Sequence, residues 1–176
     1  VFLFYERGEY PYAGQMIAKA HEPGLSDEVW VYLNPWIKKL SYLDSQLMFV
    51  DGFAGPGRYP DGSTGSPLIA MDMADKLLSE TEGVNSRIDS FECIFIEADL
   101  DNYEKLDESV NKRLESVDDR IKPVCIHGDF EKWSKQFIDE YEYKQVPPSL
   151  IFIDPFGYGN IPFDLISNLF QLRGQG

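Results

Sequence analysis

The chain has 176 residues, 43% of them hydrophobic and 14% aromatic, which is enough for one domain with a sizeable core and argues against two domains or a disordered chain. Its formal net charge of −14 gives an average surface that repels a polyanion, so a nucleic acid substrate is disfavoured unless a local basic groove supplies the contacts. No apolar run approaches the ~20 residues that span a membrane, and Cys93 and Cys125, without metal-ligand spacing, favour a reducing, cytoplasmic location and no metal site.

Residues 1–44 are predicted to form a helical extension. Residues 1–25 carry aromatics, Gly and Pro without a clear period, so we expect irregular structure around a short helix near residues 13–20. From Ser26, a candidate N-cap, apolar residues recur at helical spacing as far as Leu40, which predicts an amphipathic helix that Pro35 bends or breaks.

Residues 45–176 are predicted to form a Rossmann-like α/β domain. Four apolar runs, at residues 46–50, 91–96, 123–126 and 150–153, alternate with helical patterns that begin at Ser66, Leu100 and Phe130. Ser66 is a candidate N-cap for the first of these helices. Apolar runs that alternate with helices are typical of a doubly wound, mainly parallel sheet. The charges at residues 100–117 are interpreted as the solvated face of a crossover helix.

Each of the four predicted strands is followed by residues that suit a ligand cleft. They are Asp51 with its glycines, Glu97, Asp129, and Asp154 with Pro155. Because the carboxyl ends of parallel strands meet at one edge of a sheet, ligands of such sheets bind there, where the strand order reverses. The sequence therefore predicts a binding cleft at this edge.

A Gly-rich loop, in the segment FVDGFAGPGRY, follows the first of these strands. Its cofactor-binding candidates are Asp51, Gly52, Phe53, Gly55 and Gly57, since glycines let the backbone approach a ligand and adopt positive φ. An ordinary strand-to-helix turn is the alternative. A proline interrupts the glycines and the next helix begins late, so the spacing suits a zwitterionic methionine moiety better than a pyrophosphate.

Three further residues complete the predicted cofactor site. Glu97 can accept both hydroxyls of a ribose, because one carboxylate offers two acceptor oxygens. Asp129 can accept from an adenine amino group while Phe130 packs on the ring. A solvated strand-end acid is the alternative for Glu97, and helix capping is the alternative for Asp129.

The segment IFIDPFGYG supplies the catalytic candidates Asp154, Pro155 and Phe156. Asp154 stands at the mouth of the predicted cleft, Pro155 frees a neighbouring carbonyl to face a substrate amine, and Phe156 can stack on a planar group. A strand-end Asp-Pro turn is the alternative. Arg58 and Lys38 are either anion contacts or surface counter-charges.

With these motifs in view, the chain resembles the three-Cys-motif partner proteins, a methyltransferase-like family. The matching stretches are VDGFAGPGRY with the following GSPLIA, and FIDPFGYGNIPFDLI, with a looser match in residues 30–40. The resemblance implies a class I methyltransferase fold, S-adenosylmethionine as cofactor and a three-Cys-motif protein as partner. It also implies more than four strands, so the fold is expected to be incomplete at its carboxyl terminus.

Three functions remain in competition. The first is an S-adenosylmethionine-dependent methyltransferase that requires no metal. Its candidate methyl acceptor is an exocyclic amine of a nucleic acid base. Enzymes of that kind typically carry a second proline where this chain has Phe156, so a catalytically silent binding protein that supports a three-Cys-motif partner is the second. The third is a dinucleotide-dependent oxidoreductase, which shares the role of Glu97 but needs a more compact Gly-rich turn.

Overall fold

Five β-strands form one sheet in the computed structural model, which describes residues 2–5, 37–40, 42, 44–80, 87–154 and 161–172. The strands are β1 (Phe2–Tyr5), β2 (Gln46–Asp51), β3 (Ser90–Glu97), β4 (Ile121–His127) and β5 (Ser149–Phe152). Their order across the sheet is β1-β5-β2-β3-β4. The last four pair in parallel, and β1 pairs with β5 in the antiparallel direction.

Helices connect the parallel strands. They are α1 (Ser66–Glu80), α2 (Leu100–Leu114) and α3 (Phe130–Tyr141), and α4 (Phe163–Gln171) follows β5. The predicted alternation of strands and helices is thus confirmed, with strand ends displaced by at most two residues. The fold is α/β and Rossmann-like. None of the helices within the described residues is long and apolar enough to cross a membrane.

The amino-terminal segment departs from its prediction. Residues 1–25 were expected to be irregular, but Phe2–Tyr5 is a strand that pairs with β5, with Phe2 opposite Phe152. A four-residue apolar run cannot be assigned by periodicity, and its partner lies far away along the chain, so no local pattern reports this pairing. The short helix expected near residues 13–20 lies outside the described residues. Of the helix expected up to Leu40, residues 37–40 are described and are helical.

Strand β2 is the centre of the molecule. Leu47 and Phe49 pack on one face of the sheet, in a core that α1 and α2 cover. Met48 and Val50 pack on the other face, in a core shared with α3 and α4. All four side chains are at most 1% exposed, and full burial of each such side chain contributes roughly 1.5–3 kcal/mol. Burial on both faces explains why this strand has a continuous apolar sequence.

The order of the strands creates a crevice at their carboxyl ends. β3 and β4 lie on one side of β2, and β5 lies on the other. The direction of the connections therefore reverses at β2, which is the place where ligands bind in open α/β sheets. The residues that follow β2, β3, β4 and β5 all meet at this edge.

Candidate functional site

The Gly-rich loop after β2 depends on three glycines for its path. Gly55 and Gly57 adopt positive φ values of 64° and 71°, a conformation that other residues rarely adopt. Gly52 is required for a different reason, because a Cβ atom there would lie 2.6 Å from Cδ2 of Phe130. The predicted need for glycine at these positions is explained by backbone conformation at two of them and by packing at the third.

The Asp51 carboxylate lies fully buried beneath this loop. Its Oδ1 accepts a hydrogen bond from the Phe53 amide (3.1 Å), and its Oδ2 accepts one from the Ser66 hydroxyl (2.5 Å). Burial raises the pKa of Asp51 to about 7, against the lowering effect of these two hydrogen bonds. The negative charges of Asp154 and Glu97 raise this pKa further.

Ser66 does not cap α1, and that prediction was wrong. The helix begins at Ser66 itself, and the Gly65 carbonyl accepts the first helical bond, from the Ile69 amide (3.2 Å). The Ser66 hydroxyl is instead used by Asp51. A hydroxyl at a helix start usually bonds the nearby backbone, but here a buried carboxylate competes for it successfully.

Glu97 ends β3 and holds two loops together. Its Oε2 accepts from the Gly55 amide and its Oε1 accepts from the Asp99 amide, each at 2.8 Å. A carboxylate has about four acceptor positions, so each oxygen retains one position for a ligand hydroxyl. Glu97 also lines the crevice. This geometry is compatible with the predicted ribose contact, and it adds a structural role that the sequence did not indicate.

Asp129 and Phe130 stand where β4 meets α3. Asp129 is the N-cap of α3, and its Oδ1 accepts from the Lys132 amide at 3.1 Å. The capping alternative is therefore confirmed, and within the described part of the chain no residue bonds the Asp129 Oδ2. Phe130 is 2% exposed and packs against Phe53, with ring centroids 5.7 Å apart. Both Asp129 and Phe130 line the crevice.

Of the catalytic candidates, only Asp154 falls within the described residues. It is half-buried and lies two residues beyond β5, whose Phe152 carbonyl accepts from the Gly52 amide at 2.9 Å. Asp154 therefore stands beside the Gly-rich loop, and its charge acts on Asp51. Pro155 and Phe156 lie outside the described residues, so their roles stay predictions.

The crevice opens into a cavity of about 1080 Å³, and we call the two parts of its lining the strand-end lobe and the helix lobe. The strand-end lobe is lined by predicted cofactor residues, namely Gly52, Phe53, Gly55, Glu97, Asp129 and Phe130. The helix lobe lies between the loop and α2, and it is lined by Arg58, Tyr59, Asn102, Lys105, Ser109 and Lys112. The cavity wall includes neither Asp51 nor Gly57 nor Asp154, which lie behind or beside it. The sequence analysis did not anticipate the helix lobe.

Tyr59 is a site residue that the sequence analysis missed. Its ring lines the cavity, and its hydroxyl lies 3.2 Å from the place where a Cβ atom on Gly55 would stand. Partial burial raises the pKa of Tyr59, and the charges of Asp51, Asp154 and Glu97 raise it further. Tyr59 stands in the quoted segment FVDGFAGPGRY, so its proximity to the glycines was the signal that could have identified it.

The strand ends form an anionic cluster that pairs with no cation among the described residues. Asp51, Glu97 and Asp154 form no ion pair with any described residue, and the charges that act on Asp51 are both negative. The described residues hold no group of His, Cys, Asp or Glu that could bind a metal ion. Lys38 is exposed and pairs with Glu80 (3.5 Å), which confirms its interpretation as a surface counter-charge. The strand-end lobe therefore has a local charge that favours a cationic ligand.

Comparison with known proteins adds no relative to this description. No family model matches the chain, and it matches no curated protein. The assignment of function therefore depends on the geometry and charge of the cavity.

The contact between Gly52 and Phe130 gives a first prediction. Gly52→Ala should lower the free energy of unfolding by about 1–3 kcal/mol, because the new methyl group displaces the Phe130 ring. Gly128→Ala is the matched control, since its methyl group would meet only Ile126 Cγ2, at 3.9 Å. Urea unfolding measures both. A cost for Gly52→Ala no greater than that of the control would contradict the packing role of Gly52.

The burial of Asp51 gives a second prediction. Its folded-state pKa is raised, so its contribution to stability is full below the unfolded value of 3.8 and is lost as the pH rises towards about 7. Asn in its place does not ionise. From about pH 5.5 to about pH 8, wild type should therefore lose about 2 kcal/mol of stability relative to Asp51→Asn.

Urea unfolding across this pH range measures that difference. Asp139→Asn removes one carboxylate from an exposed position of α3 and controls for the change in net charge. A stability difference between wild type and Asp51→Asn that stays constant with pH would show that Asp51 is already ionised in the folded protein.

Proposed function

We propose that the chain binds S-adenosylmethionine in the strand-end lobe and transfers its methyl group to an acceptor. The observation that carries the proposal is the anionic cluster of Asp51, Glu97 and Asp154 beside the Gly-rich loop. S-adenosylmethionine carries a sulfonium and an ammonium group against one carboxylate, so its net charge is positive. At an effective dielectric constant of about 20, a positive charge gains about 4 kcal/mol at ~4 Å from a carboxylate.

The same charge argues against a dinucleotide cofactor. A pyrophosphate binds where a tight loop leads at once into a helix amino terminus, whose amides and dipole favour an anion. Here residues 52–65 separate β2 from α1, and the buried Asp51 lies beneath that loop. Two negative phosphates would meet a negative cluster, so the oxidoreductase alternative is disfavoured.

The proposed placement of the cofactor follows from the acceptors that remain open. The ribose hydroxyls would bond the free positions of Glu97, and the adenine amino group would bond Oδ2 of Asp129 beside the Phe130 ring. The methionine portion would lie along Gly52 and Gly55, where its cations approach the anionic cluster. The residues of these direct contacts line the strand-end lobe, and Asp51 and Asp154 act through their charge from beside it.

The chemistry of such a transfer requires alignment more than acid or base catalysis. Holding the acceptor nitrogen in line with the sulfonium methyl group supplies most of the rate, because it removes the entropy cost of a bimolecular encounter. In this proposal Asp154 orients the acceptor and stabilises the positive charge that develops on it. A three-Cys-motif protein, which the family resemblance implies, remains the proposed partner.

Isothermal titration calorimetry tests the proposal. Wild type should bind S-adenosylmethionine and S-adenosylhomocysteine, and it should not bind NAD⁺. Glu97→Gln should weaken cofactor binding by about 10-fold or more, since it removes a charge-assisted hydrogen-bond acceptor. Glu104→Gln is the control, because Glu104 is exposed on α2 and does not line the cavity. Binding of NAD⁺ alone would contradict the proposal.

A transfer assay separates the enzyme from the silent binding protein. With labelled S-adenosylmethionine, methyl transfer to an oligonucleotide or a protein extract would support catalysis. Asp154→Asn should then lower kcat about 100-fold at saturating cofactor, in addition to the weaker cofactor binding that follows from the loss of one negative charge of the cluster. Cofactor binding without any transfer would favour the silent alternative.

A further inference from the structure

Helix α2 separates its charges by face. Its sequence mixes acidic and basic residues, but the side chains at Asn102, Lys105, Ser109 and Lys112 recur at three- and four-residue spacing and line the helix lobe. Residues at this spacing share one face of a helix. Asp101, Glu104 and Asp107 do not line the cavity. The interpretation of the whole helix as a solvated charged face is therefore incomplete.

The helix lobe has a surplus of positive charge. Lys105 and Lys112 are exposed and form no ion pair with any residue in the described part of the chain. Arg58 faces the same lobe from the loop and makes one long hydrogen bond, to the Gly62 carbonyl at 3.5 Å. Glu108 is the one acidic residue of α2 that lines the lobe. Asp72 and Arg113 also line it and pair with each other. The remaining three cations therefore face one remaining acid, Glu108, in a chain whose net charge is −14.

Arg113 is a contrasting case on the same helix. It lies 2.5 Å from Asp72 and 3.3 Å from Asp75, both on α1. These ion pairs join α1 to α2 and neutralise Arg113. They show which cation of the helix has a structural role, and they leave Lys105 and Lys112 available for a ligand.

The cavity is large enough for an acceptor beside the cofactor. Its volume of about 1080 Å³ lies at the upper end of the ~300–1,000 Å³ that is typical of a ligand site, and its lining extends from the strand ends along α2 to Ser116. Tyr59 lines the helix lobe, and its hydroxyl lies close enough to the strand ends for the charges of Asp51, Asp154 and Glu97 to act on it. An aromatic ring next to cations is the combination that binds a base and its phosphate.

We propose that the helix lobe binds the phosphate groups of a nucleotide acceptor, either free or within a strand. This inference rests on the proposed methyl transfer and names its substrate class. Lys105, Lys112 and Arg58 contact phosphates, and Tyr59 stacks on a base that points towards the strand-end lobe. Lys105 and Lys112 are seven residues apart, so about 10 Å of helix lies between them.

Fluorescence anisotropy with a labelled single-stranded oligonucleotide of about 12 nucleotides tests the proposal. The variant Lys105→Gln with Lys112→Gln should bind the oligonucleotide at least 10-fold more weakly at low salt. The matched control is Lys135→Gln with Lys144→Gln, which removes the same charge from lysines paired with Glu131 and Glu140 outside this cavity. The control should bind like wild type.

Salt dependence distinguishes direct phosphate contacts from general charge. Removing two contacts should reduce the slope of log K against log salt by about 1.4, so over a fourfold rise in salt wild type loses about sevenfold more affinity than the variant. An equal loss of affinity in the control pair, or an unchanged slope in the variant, would overturn the proposal.

Two further titrations, with AMP and with S-adenosylmethionine, identify the source of the phosphate and test the phosphate subsite separately from the methyltransferase proposal. Binding of AMP that is lost in the Lys105 and Lys112 variant, without oligonucleotide binding, would support the subsite and assign it to free nucleotides. S-adenosylmethionine affinity should be the same in this variant and in wild type. If oligonucleotide binding depends on these lysines but S-adenosylmethionine does not bind, the phosphate subsite is supported and the methyltransferase proposal is contradicted. If S-adenosylmethionine binds but neither AMP nor the oligonucleotide does, the methyltransferase proposal is supported and the phosphate subsite is contradicted.

Discussion

The structure depends on a carboxylate buried at the end of its central strand. Strand β2 is apolar on both faces, and its last residue, Asp51, is carried into the interior with it. Hydrogen bonds from the Phe53 amide and the Ser66 hydroxyl join the start of the Gly-rich loop to the start of α1. Asp51 thus fixes both ends of the loop. Because burial disfavours the charged form of Asp51, a cation bound nearby would stabilise that form.

The two lobes of the cavity differ in the sign of their charge. The strand-end lobe adjoins three carboxylates, and the helix lobe presents Lys105 and Lys112. A cationic cofactor and an anionic acceptor would each find a complementary surface. The net charge of −14 gives no indication of this division, because it averages over faces of opposite local charge.

Much of the fold could be predicted because its signals are local. The four parallel strands, the Gly-rich loop and the cap at Asp129 each follow from a short run of residues. The strand at Phe2–Tyr5 could not be predicted, since its partner β5 is distant along the chain. The bond between Ser66 and Asp51 and the face of α2 that lines the cavity also depend on tertiary packing. Sequence spacing places residues on one face of a helix, but it does not say what that face meets.

The central claim is that the buried Asp51 carboxylate favours a cationic cofactor. Its pKa of about 7 leaves it about half protonated near pH 7, and a bound sulfonium would lower that pKa. Calorimetry of S-adenosylmethionine binding at pH 7, in buffers of different ionisation enthalpy, measures the protons released. Wild type should release up to about half a proton, and Asp51→Asn should release none. Binding without proton release, or equal release by the variant, would contradict the central claim.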